Sequence, residues 1–334
     1  MENYKILCDI GEDVRFHIGG RPRVAKLEDI DSDENIKRVY RIQFSKPPKH
    51  EALEYVLQII QKRPEIDLRF YGDYSETLIP WNKLALIQRL QIDLWNIFSL
   101  NEISNLKELK VLSIQKNVSS KVSLKILAPL QNLERLCTSV SKDIETINEL
   151  KKLNSLNLRE IKHDNLDFLI PIHFLQSLVL SLGSFNNFEG LIKIKGLKKL
   201  NVHHVRGFSS EAANNTLSKC EGLTALKLEN LKHINNLNFI KGLANLTYLS
   251  FEGVENLISY NDITANNSIE TFTGYKCRPE DKSLAGLRNL KSVYLGDSYT
   301  KAEIDKFLLV SKADNIIIRG ETLRGSRQTQ NPFL

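Results

Sequence analysis

Ten segments of this chain, opening on Ile87, Leu109, Leu133, Leu153, Leu175, Leu197, Leu223, Leu246, Ile269 and Leu290, repeat one short pattern about every 20 to 26 residues. Each reads apolar-x-x-apolar-x-apolar, as in LKVLSIQKN at 109–117, LNSLNLREI at 153–161 and LTALKLENL at 223–231. The fourth and sixth places alternate with polar residues, the period of a short half-buried strand. Leu112 with Ile114, Leu156 with Leu158, Leu178 with Leu180, and Leu226 with Leu228 therefore point inward. One such strand cannot bury its apolar side alone, so successive copies must stack to share a core. The return segments carry their own apolar residues, such as Leu166, Phe168 and Leu169 or Leu237, Phe239 and Ile240, and supply the opposite wall.

The pattern resembles the leucine-rich-repeat family over residues 36–320, with a repeat length similar to that of internalin-type or related short bacterial and eukaryotic repeats. The ninth place, often Asn in that family, is Asn here only at Asn117; Ile161, Val205, Leu231 and Val254 put a hydrophobic spine in its stead. The resemblance implies an α/β solenoid: a curved right-handed superhelix with a parallel β-sheet on the concave face and loops and short helices on the convex face. It also implies a protein-recognition scaffold, without naming the ligand.

The ends depart from the pattern. Residues 1–35 read as an N-terminal cap, with KILCDI and VRFHIG forming a hairpin through Gly11-Glu12-Asp13 over the first repeat. VYRIQF at 39–44 has strand character, and Leu53, Val56, Leu57 and Ile60 mark one side of a helix that stops before Pro64. Near the other end, Thr300 and Glu303 signal a capped helix with Ile304, Phe307 and Leu308 on one side, followed by a strand in NIIIRG at 315–320. Residues 321–334 lack periodicity and read as a mobile tail.

At 42% hydrophobic and 26% charged, the 334 residues have the balance of a folded protein rather than a disordered one. No apolar run approaches the roughly 20 residues needed to cross a bilayer. Glu2, Asp9, Glu12 and Asp13 interrupt the start where a secretory signal would need an apolar stretch. Cys8, Cys137, Cys220 and Cys277 lie far apart, without the close pairs that bind zinc, so a reducing cytoplasm is the expected location. The net charge of +6 is spread along the chain, at Lys107, Lys151 and Lys198 among others, rather than gathered in one basic stripe, so a nucleic acid is not the expected partner, and without a long apolar run neither is a membrane.

Catalytic motifs are missing from the sequence. Gly19-Gly20 precedes Pro22 and lacks the Lys and hydroxyl residue of a phosphate loop, and no nucleophile elbow, metalloprotease helix or kinase signature occurs. His203 and His204 are adjacent on a strand, so they point apart and cannot jointly chelate a metal. Cys137 has no histidine partner in register. No cofactor, metal or small-molecule substrate is expected.

Function is expected instead on the outward side of the strands, where the third, fifth and seventh places form columns. The third-place column runs from Arg89 through Arg135, Ser155, Ser177, Lys199, Ala225 and Tyr248 to Ser292; the seventh runs from Asp93 through Arg159, Ser181, His203, Glu229, Glu252 and Tyr275 to Gly296. Arginines lead in the first half, at Arg69, Arg89, Arg135 and Arg159; acids and aromatics follow, at Glu229, Glu252, Tyr248, Tyr275 and Tyr294. Tyr and Arg combine contact area with directional hydrogen bonds, as interface hot spots do. The candidate partner-binding residues are thus Arg69, Arg89, Asp93, Arg135, Arg159, His203, Glu229, Tyr248, Glu252, Tyr275 and Tyr294, while Trp95, in the ninth place, is expected in the core. The function expected is non-enzymatic docking of a protein, in one version as a stoichiometric inhibitor or immunity protein. The alternatives are an enzyme or enzyme activator using Arg89 or Arg159, and recognition of a cell surface.

Overall fold

A computed structural model describes residues 5–10, 13–18, 21–24, 39–114, 118–326 and 331–333. Asn117 and the hairpin loop at 11–12 lie outside the described residues. The chain forms two compact units, residues 1–153 and 154–334.

In the first unit, β1 (Lys5–Ile10) pairs antiparallel with β2 (Asp13–Ile18), and β2 with β3 (Arg21–Val24). β1 also runs parallel to β4 (Val39–Phe44). From there a parallel ladder continues through β5 (Asp67–Gly72), β6 (Arg89–Leu94), β7 (Val111–Ile114) and β8 (Arg135–Thr138). The return between β4 and β5 is helix α1 (His50–Lys62), which buries Leu53, Val56, Ile59 and Ile60; Ile59 takes the inward position expected of Leu57. Later returns are mainly single 3₁₀ turns, whose tight winding fits a return of few residues.

The second unit stacks β9 (Ser155–Arg159), β11 (Ser177–Ser181), β13 (Lys199–His203), β14 (Ala225–Glu229), β15 (Tyr248–Glu252), β16 (Thr271–Tyr275), β17 (Ser292–Leu295) and β18 (Asn315–Ile318) in parallel. Two-residue strands β10 (Lys162–His163) and β12 (Ser184–Phe185) pair on the return side, and helices α2 (Gly190–Lys193) and α3 (Ser210–Thr216) fill two returns. Helix α4 (Lys301–Val310) begins as expected, with Thr300 Oγ1 accepting from Glu303 N at 3.2 Å. The Glu303 carboxylate turns instead to Leu284 N, at 2.6 Å, tying the helix to the preceding return. Residues 321–324, aperiodic in sequence, form β19 (Glu321–Arg324), antiparallel to β18.

Register follows the leucines. Leu156, Leu178, Leu200, Leu226, Leu249, Phe272, Val293 and Ile316 pair strand to strand as one inward row, each no more than 1% exposed. The sixth-place row contains Leu158, Leu180, Val202, Leu228, Phe251 and Leu295, interrupted at Gly274. A methyl group at Gly274 would stand 2.8 Å from Cys277 Sγ and 3.0 Å from the Phe272 ring, so the bulk of the neighbours leaves space only for glycine.

A second regularity closes each strand. The eighth-place residues Glu160, Leu182, His204, Asn230, Gly253 and Lys276 all adopt positive φ, between 49° and 65°. Five of them donate their N–H to the seventh-place carbonyl of the next strand: Glu160 to Ser181, Leu182 to His203, His204 to Glu229, Asn230 to Glu252 and Gly253 to Tyr275, at 2.7 to 2.9 Å. A left-handed conformation costs a non-glycine residue about 1–2 kcal/mol. The interstrand bond offsets part of this, and the turn aims the ninth-place Ile161, Val205, Leu231 and Val254 back into the core, where all are buried.

The same rule corrects the expectation for Trp95, which is 59% exposed. Leu94 has no positive φ, and β6 keeps alternating through it, so Leu94 is buried and Trp95 points out. His204 is exposed and left-handed, which makes it a direct probe of the turn. His204→Val is expected to destabilise the chain by about 1–2 kcal/mol in urea unfolding followed by circular dichroism, despite its exposure, because a β-branched residue resists this conformation. His204→Gly should equal or exceed the parent.

Candidate interaction surfaces

Inward rows dictate outward ones: with the fourth and sixth places buried, the third, fifth and seventh are displayed on the other side of each sheet. The third-place residues Ser155, Ser177, Lys199, Ala225, Tyr248, Thr271 and Ser292 pair in order, as do the seventh-place Arg159, Ser181, His203, Glu229, Glu252 and Tyr275. Repeats of this pattern in parallel register, with 3₁₀ turns and short helices as returns, define the architecture. Each unit has the leucine-rich-repeat fold.

No family model matches the chain. Solved structures similar to this chain include an internalin of Listeria monocytogenes, at 14% identity over 92% of this chain and 91% of that one with a TM-score of 0.49. A leucine-rich-repeat protein of Leptospira interrogans matches at 17% identity over 85% of this chain and 73% of that one, with a TM-score of 0.43.

The candidate residues fall into two groups, one in each unit. In the first unit the arginines are largely engaged. Asp67 accepts from Arg89 Nε at 2.7 Å and from Arg41 Nη2 at 3.3 Å. Arg69 pairs with Asp93, hydrogen-bonds Gln43 Oε1 at 3.1 Å and stacks over Tyr71 at 4.8 Å. The expected basic face is therefore an alternation of ion pairs, a consequence of Asp67 lying one strand before Arg89 in the same column. Arg135 is the outermost of the group; burial, with the neighbouring charge of Arg89, lowers its pKa.

In the second unit, Arg159 is half-buried and pairs with Glu160 at 3.1 Å. Beyond it, His203, Glu229 and Glu252 join a polar network held by residues in the fifth-place column. Asn201 Nδ2 donates to Glu229 Oε1 at 2.7 Å, and Lys227 Nζ reaches Glu229 Oε2 at 2.9 Å and Glu252 Oε2 at 3.5 Å. Burial alone would push the Glu229 carboxyl up. Hydrogen bonds from Lys227 and Asn201, with the charges of Lys227 and His203, outweigh it and hold the pKa below the ordinary value. Tyr248, Tyr275 and Tyr294 line a cavity of about 370 Å³ beside this network, with Lys227, Ser250, Glu252 and Thr273. Tyr275 is 51% exposed and lies under the Lys276 ammonium at 5.7 Å, whereas Tyr248 is 8% exposed and bonds through its hydroxyl to Thr273 Oγ1 at 3.3 Å.

Lys199 stands in the third-place column read from the sequence, whereas Asn201 and Lys227, in the fifth, were not singled out there, and their chemistry as bridges appears only once the strands are paired. Away from the sheets, Cys220 and Cys277 are buried thiols pushed up to about 12 by their surroundings, which keeps them protonated and inert. Among the described residues, no group of three or more His, Cys, Asp or Glu could hold a metal ion, and no helix is long and apolar enough to cross a membrane.

Because the Glu229 pKa is depressed in the folded state, its stabilising contribution is full above the unfolded carboxylate value of about 4.3 and is lost as pH falls through the lower folded value. Glu229→Gln is expected to lower stability by about 1 kcal/mol at pH 7. The two proteins should converge in urea titrations as the pH falls below the unfolded carboxylate value and Glu229 becomes protonated in the folded state as well.

Proposed function

We propose that the chain is a protein-recognition scaffold that docks a protein partner on the exposed side of its repeat sheet, with the surface around Tyr248, Tyr275, Glu252 and Lys227 in the second unit as the principal contact. The observation that supports this is the cavity there: three tyrosines and a charged network meet on strands whose opposite side is fully packed, so the contact groups sit on a rigid base. A rigid presentation reduces the ordering cost of association. Lys227, held between two carboxylates, and Tyr275, half exposed, offer the mixture of directional polar groups and aromatic area found at interface centres.

In the form proposed, the protein acts by occupancy, one copy covering one partner, as a stoichiometric inhibitor does, in a reducing compartment suited to its buried thiols. The use of Arg89 or Arg159 inside a partner's active site is less favoured, because both guanidiniums are committed to neighbouring carboxylates.

Affinity capture by the full chain, identification of the bound protein and titration of the purified pair would test this. Tyr275→Ala combined with Glu252→Ala is expected to weaken the complex by about 30-fold or more, the effect of losing roughly 2 kcal/mol at an interface centre. Leu309→Ala, on the exposed side of α4, should leave it unchanged. Equal affinity of the parent and the sheet variant would overturn docking on this surface.

A further inference from the structure

Asn331, Pro332 and Phe333 lie on the exposed side of the second unit's sheet, although no periodicity in their sequence would place them there. Lys199 Nζ donates to the Pro332 carbonyl oxygen at 2.6 Å. The Phe333 ring meets Tyr248 edge to face, with centroids 6.1 Å apart and planes at 60°. Asn331 forms part of the wall of the cavity lined by Lys227, Tyr248, Tyr275 and Tyr294. Its Oδ1 accepts from Phe333 N at 3.0 Å, a side-chain-to-backbone turn that holds the three residues in one shape. Proline's fixed φ limits further the conformational freedom that seating removes.

The cover is visible in Tyr248. It is 8% exposed and Ala225 beside it 2%, whereas Lys199, Thr271 and Ser292, in the same column of strands, remain half-buried. Edge-to-face aromatic contact and a charge-assisted hydrogen bond to a backbone carbonyl are interactions that any polypeptide carrying an aromatic side chain can supply. Nothing in them is special to residues of the same chain.

We propose that Asn331–Phe333 is a resident occupant of the docking surface: it fills in cis the place that an aromatic side chain of the partner protein takes in trans, and the partner binds by displacing it. This rests on the docking function proposed above and specifies the partner's contact segment. That segment presents an aromatic ring to Tyr248, and the carbonyl of the preceding residue to Lys199. A segment tethered within a few residues of β19 competes at an effective concentration on the order of 1 mM. If its own dissociation constant for the site is on the order of 0.1 mM, a competitor in trans is weakened about tenfold.

The test uses a fluorescein-labelled peptide copying residues 326–334, titrated by anisotropy against the full chain and against the full chain carrying Phe333→Ala. The peptide is expected to bind the Phe333→Ala chain about tenfold more tightly than the parent. Adding Lys199→Ala to Phe333→Ala should remove that binding, and since Lys199 is half-buried on the surface, circular dichroism is expected to show an intact fold. Equal affinity for the parent and Phe333→Ala chains, no binding to the Phe333→Ala chain, or binding indifferent to Lys199→Ala would each overturn the proposal. The captured partner should likewise gain about tenfold from Phe333→Ala. If it gains nothing while Tyr275→Ala with Glu252→Ala weakens it, docking stands and self-occupancy falls. If the sheet variant has no effect on the partner, docking itself falls, whatever the peptide does.

Discussion

Parallel register between successive strands is the constraint from which the rest of each unit follows. Once Leu178 sits beside Leu156 and Leu200, and Leu180 beside Leu158 and Val202, every side chain on those strands has its side of the sheet assigned. A slip of one residue would put the serines, lysines and glutamates of the third, fifth and seventh places into the core, at several kcal/mol for each unpaired charge buried. Packing of the leucine rows therefore does two things together: it removes apolar surface from water, and it sorts the polar residues into columns. The left-handed eighth residue is subordinate to it. That turn ends the alternation where the strand should end, satisfies the seventh-place carbonyl next door, and returns the ninth residue to the apolar interior.

The strands and their facing were legible because a two-residue period has only two phases, and the repeated leucines choose between them. Helix α4 was legible because Thr300 carries a capping hydroxyl at the right distance from Glu303. Trp95 was misplaced because its facing depends on a backbone conformation, positive φ at the eighth place, which Leu94 does not adopt and which no side-chain pattern announces. Leu57 and Ile59 exchanged roles for a related reason: two apolar residues near one edge of α1 compete for the core, and the packing of the adjoining strands decides between them. What the columns could not convey was which charges meet. Arg69, Arg89 and Arg159 look alike as outward arginines, yet each is engaged by a carboxylate on a neighbouring strand or at the strand's own end.

The two exposed surfaces differ in how their charge is held. Around Asp67, charges of opposite sign answer each other across strands, so much of the field is satisfied internally. Around Lys227, one ammonium serves Glu229 and Glu252, leaving the acids in excess, and tyrosines stand beside them. At Glu229 the hydrogen bonds from Lys227 and Asn201 outweigh desolvation, so the network contributes modestly to the fold while holding its charged groups in fixed positions on a rigid strand row. The aromatic rings supply the area that the charges lack.

Segment 331–333 brings these properties together. Left uncovered, the Tyr248 ring would add to the aromatic area already exposed at Tyr275, and exposed apolar area brings unwanted association. A resident segment of low affinity covers it at little cost, because tethering replaces intrinsic strength with local concentration. The arrangement has a thermodynamic consequence for specificity. Displacement subtracts the same free energy from every competitor, so weak, single-contact binders are pushed below useful affinity while a partner that also engages Glu252 and Tyr275 retains a measurable complex. Discrimination of this kind comes from raising the threshold for all ligands, and it requires no contact made solely by the correct one.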